Sequence, residues 1–128
     1  MTTTVRQLRD RVEGVLRDDL GRYRLQNGTL TPAIAVRAAG ENRPSGTTVE
    51  GLEVIINREP EPEAVAAYRQ QEARHVWQVY LVDWSGRTSL ASLTDRLLLE
   101  FPGMNTTTVS VPENVGPSNQ ILCEIEAN

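Results

Sequence analysis

The chain contains no lysine, one cysteine and one histidine in 128 residues, and its aromatic residues are two Trp, three Tyr and one Phe. A lone Cys123 excludes an intrachain disulfide, and its setting in the run ILCEI reads as a small core residue. One His, one Cys and dispersed carboxylates leave no cluster with metal-ligand spacing. No apolar run approaches the ~20 residues needed to span a bilayer. The opening MTTTVRQLRD lacks the hydrophobic region of a signal peptide, so the expectation is a soluble protein made in a reducing cytoplasm, with no membrane partner.

The missing lysine makes all 13 basic residues arginine, against 17 acids, for a net charge of −4. Arginine presents a fixed fork of donors and stacks on apolar surface, which suits salt-bridged interfaces; a genomic coding bias would give the same composition. Residues 1–24 hold six Arg and four acids, while Glu100, Glu113, Glu124 and Glu126 follow Arg96 with no base among them. This polarity is weak. It is not the concentrated basic face of a nucleic-acid binder.

What is present is periodic. The stretch Arg74–Asp83 alternates Val76, Tyr80 and Val82 against Trp77, Val79 and Leu81, so both faces are largely apolar and an interior strand is expected. A helix is expected near residues 4–20, opened by a Thr4/Gln7 capping box. Val5, Leu8, Val12, Val15, Leu16 and Leu20 form its stripe, Glu13–Arg17 a favourable i,i+4 pair, and Gly21 its stop. A second helix near 88–101 follows a Thr88 or Ser89 cap and carries Leu90, Leu93, Leu97, Leu98 and Phe101.

Further strands are expected at Ala33–Ala38, Leu52–Asn57, Thr106–Val111 and Gln120–Ile125, and Tyr23–Leu25 runs extended into the turn dipeptide Asn27-Gly28. Pro32 belongs at a strand start or an edge. Residues 40–51 then form a long polar hairpin loop between the first two of those strands, its tip Gly40–Thr48 protruding. Residues 58–72 make an acidic, proline-interrupted connection containing a short extra helix at 63–71. The whole is read as one α+β domain over residues 1–128: a mainly antiparallel sheet of four or five strands packed by two principal helices.

The chemistry of an enzyme finds no support in these residues. His75 could pair with Asp83 or Glu72 as a general base, but no Ser or Cys nucleophile stands in a recognisable elbow or dyad. GENRPSG has glycines without the lysine of a phosphate loop. Glu59, Glu61 and Glu63 do not establish acid–base catalysis without a pocket, and they face either an interior channel or water. Trp77 and Trp84 read as packing anchors. The expectation is a non-enzymatic protein with no cofactor.

Taken together, VRQLRDRVEGVLRDDLG, TPAIAVRAAG, HVWQVYLVDWSG, TSLASLTDRLLLEF and the closing strand pair span residues 4–126. This arrangement resembles the tail terminator or tail-completion proteins of tailed bacteriophages. The resemblance implies a virion component of the tail or neck, assembled in the host cytoplasm. Its copies would form a ring, commonly a hexamer, that caps the tail tube, meets a neck or connector protein and lets DNA pass without sequence-specific binding. On that basis Arg9, Arg11 and Arg17 are candidates for the subunit interface, Glu41 and Arg43 for a neck-docking loop, and Glu59, Glu61 and Glu63 for channel-facing acids. A head-completion or connector protein between portal and tail, or a non-viral adaptor domain, remains the alternative.

Overall fold

The computed structural model describes residues 4–38, 41–59, 61–64, 73–111 and 116–126. Helix α1 (Val5–Leu16) begins with the expected reciprocal cap: the Gln7 amide donates to Thr4 Oγ1 at 3.2 Å, and the Thr4 amide to Gln7 Oε1 at 2.9 Å. Short strands β1 (Arg22–Arg24) and β2 (Leu30–Pro32) form a hairpin around Asn27-Gly28. Strands β3 (Ile34–Arg37), β4 (Thr48–Glu50), β5 (Leu52–Asn57), β6 (Glu61–Ala64) and β7 (Ala73–Asp83) follow. Then come α2 (Leu90–Glu100), capped by Ser89, and the closing pair β8 (Asn105–Thr108) and β9 (Asn119–Glu126).

The result is an α+β fold with two sheets. The larger runs β3-β5-β7-β9-β8, with β6 paired to the start of β7; the smaller is β2-β1-β4. Strand β7 is central, as its two apolar faces require. Its Trp77, Val79 and Leu81 join Leu52, Val54 and Ile56 of β5 and Cys123 and Ile125 of β9 on one face, where Leu8, Val12, Leu16, Leu90, Leu93 and Leu97 cover them. Helix α1 lies over β3 and α2 over β9. Arg11–Glu100 joins the two helices, and Arg96 of α2 bonds Asp19 in the turn that follows α1.

Several expectations need correction. The strands at 34–37 and 52–57 do not form a hairpin: they pair parallel, Ile34 opposite Val54 and Arg37 opposite Asn57. The intervening chain has room to cross over, and part of the expected loop becomes β4, which adds to β1 instead. The proposed helix at 63–71 starts inside β6, where Glu63 and Ala64 pair with Arg74 and Ala73; its remainder lies outside the described residues. Glu13 pairs with Arg9 at 3.3 Å rather than with Arg17. Leu98 falls off the buried stripe of α2 and is 37% exposed.

Gly21 is not the stop of α1, which ends four residues earlier with Arg17 as its C-cap. It is instead the junction of the two sheets. Its N–H donates to Leu52 O at 2.8 Å, and its carbonyl accepts from Ala33 N at 3.1 Å. A side chain there would put its Cβ 1.9 Å from Glu50 O, so only glycine permits this backbone crossing.

Candidate interaction surfaces

On the face of the large sheet away from the helices, register places Arg37 of β3 opposite Asn57, and Glu53 of β5 opposite Val82. Glu53 is 2% exposed and Arg37 7%. A carboxylate so buried needs donors, and the fold supplies three from separate elements. Tyr23 of β1 donates its hydroxyl to Glu53 Oε2 at 2.5 Å, Trp84 donates Nε1 to Oε1 at 3.0 Å, and Arg37 approaches Oε2 at 3.4 Å while donating to the Tyr23 oxygen at 3.0 Å. Burial and the bond to Glu53 push the Tyr23 hydroxyl well above its ordinary pKa. This polar hub ties the small sheet to the large one.

The hub also positions the loop expected to dock. Arg43 lies over the Trp84 ring, 5.5 Å from its centroid, and Glu41 accepts from Arg58 at 3.5 Å. Thr47 N donates to Pro44 O at 3.1 Å, closing a turn at the tip. Glu41 and Arg43 thus stand on a segment anchored to the fold at both residues. The hub itself was missed by sequence reading; its one signal was Glu53 inside the apolar run LEVIIN, on the face opposite Leu52, Val54 and Ile56.

The three candidate interface arginines occupy different situations. Arg11 is engaged within the subunit, donating Nε to Glu100 at 2.9 Å and Nη2 to the Glu100 carbonyl at 3.2 Å, with its guanidinium over Phe101. Arg9 bonds Glu13 along α1. Arg17 is exposed at the end of α1 and has no partner among the described residues. Arg11 and Glu100 also flank a cleft of about 190 Å³ walled by Trp77, Phe101, Met104 and Ile125, below the ~300–1,000 Å³ usual for ligand pockets.

Glu59 is exposed just beyond β5, and Glu61 and Glu63 occupy register positions opposite Val76 and Arg74. His75 and Asp83 sit eight residues apart on one strand, roughly 26 Å at the usual rise, so they cannot act as a pair; Glu72 lies outside the described residues. Asp83 has a structural task. Burial opposes its charge, but hydrogen bonds from Ser85, Gly86 and Thr88 outweigh that and hold its pKa below the ordinary carboxylate value. The Cys123 thiol is pushed up to about 12 by burial. Among the described residues no group of three His, Cys, Asp or Glu could hold a metal, and no helix is long and apolar enough to cross a membrane.

Compared with known proteins, the chain matches no family model, no curated protein and no solved structure.

Proposed function

We propose that this protein is a non-enzymatic structural subunit of the tail-terminator kind, forming a ring that caps a tail tube and helps join tail to head. The observation that carries an assembly role is apolar side chain held at the surface: Leu99 is 84% exposed and Leu98 37%, both on α2. Exposed leucines on one helix of so small a charged fold support a contact with another chain there. The anchored loop with Glu41 and Arg43 supplies a second, polar surface suited to a neck protein. Closed rotational symmetry would let one modest contact repeat without leaving free ends. Six copies at −4 each would carry −24, and acids facing the lumen would repel passing DNA.

The test is which partial particle the purified protein completes. A terminator binds the ends of isolated tail tubes and makes them competent to join heads. Binding to portal-bearing heads without tubes would reassign the protein as a head-completion or connector subunit, and binding to neither would remove it from the neck altogether.

A further inference from the structure

We propose that copies of this chain join edge to edge. Strand β8 of one subunit pairs with β3 of the next, so that the second subunit's α1 settles on a ledge beside α2. The inference rests on the ring reading and specifies its contact. Strands β3 and β8 end the large sheet on opposite sides, and each is four residues long. Pairing one with the other is necessarily head-to-tail, the class of contact that closes into a ring when its rotation allows.

Neither edge is used within the described residues. The ladder to β5 takes the carbonyls of Ala33 and Arg37, so the alternating N–H and C=O groups of Ile34 and Val36 point away from it. Strand β8, NTTT, is exposed at all four positions and has none of the charges or prolines that usually guard a sheet edge.

The helix layer explains why a second copy fits there. Thr106 and Thr108 pair with Cys123 and Ile121, on the face that the helices cover, yet both are exposed: the layer stops at α2 and leaves β8 bare. Arg96 and Glu100 mark the flank of α2 turned toward α1. Helical spacing therefore puts Ala91, Asp95 and Leu98 on the other flank, above β8. Because α1 overlies β3, a neighbour's β3 set beside β8 brings its α1 into this corner. The flank of α1 opposite Arg11 carries Arg6, Arg9 and Arg17 with Glu13, which bonds Arg9, so it presents net positive charge to Asp95, while Leu98 loses its exposure. Two of the three arginines singled out from sequence would then lie at the contact.

Cysteine pairing tests this. Ala35 and Thr107 lie on the helix-free face of the two edge strands, and the native Cys123 is buried. Full-length chains carrying Ala35→Cys and Thr107→Cys are oxidised separately and mixed, with and without tail tubes; Asn105→Cys covers the neighbouring register. A disulfide dimer is expected only in the mixture. The double variant A35C/T107C should give a ladder that stops at the ring size, and Leu98→Asp should weaken association at least ~10-fold. Dimers of T107C alone would overturn the proposal in favour of a two-fold contact. A ring seen by mass measurement without these disulfides would overturn the edge contact and leave the ring reading standing. A monomer under every condition, tubes included, would remove both.

Discussion

Replacing Glu53 by alanine should be among the most damaging single changes in this protein. The substitution leaves Arg37, 7% exposed, without the carboxylate that balances its charge, and it strands the Tyr23 hydroxyl and the Trp84 N–H. Breaking a buried ion pair from one side costs ~3–5 kcal/mol, a large part of the ~5–15 kcal/mol that stabilises a domain. With a urea slope of ~2 kcal/mol per molar, a loss of ~4 kcal/mol moves the unfolding midpoint down by ~2 M. Urea melts followed by far-UV circular dichroism measure this directly. Glu53→Gln should cost less, because its amide oxygen can still accept from Tyr23 or Trp84. Adding Arg37→Met to E53A should restore part of the loss, since the unbalanced cation is gone. A loss below ~1 kcal/mol for E53A, or strict additivity of E53A with R37M, would refute the view that this hub couples the two sheets.

Three other outcomes are expected. Leu93→Ala, at a position 2% exposed on the buried face of α2, should destabilise by ~2–5 kcal/mol in the same melts; a change within ~0.5 kcal/mol would contradict its burial. Gly21→Ala should cost at least ~2 kcal/mol, because its Cβ would meet the Glu50 backbone carbonyl rather than a side chain that could swing aside; a wild-type midpoint would show that the crossing can open. Asp83 is held more acidic folded than unfolded, so its contribution is present above the unfolded value of ~3.9 and is lost as pH falls through the folded one. The stability difference between wild type and Asp83→Asn should accordingly shrink below about pH 4, and a difference constant from pH 6 to 2.5 would contradict this linkage.

Both helices, the central strand and the turn at Asn27-Gly28 were determined by sequence alone, because each depends on residues within a few positions of one another. The Thr4/Gln7 cap closes over one turn, the leucine stripes repeat along one helix face, and β7 alternates regardless of its neighbours. Pairing between distant strands had no such local signature. The parallel register of β3 and β5 follows from where β4 docks on β1, which no residue of 40–51 announces. Glu13 has an arginine four residues away on each side, and only the folded geometry sets Arg9 against it. Arg11 is an interface candidate by resemblance, and only the fold shows that it bonds Glu100 and lies over Phe101 at the end of α2 while staying exposed. The hub was least legible of all. Tyr23, Arg37, Glu53 and Trp84 come from four segments, and a buried carboxylate looks like any other acid until the fold has removed its water and supplied its donors.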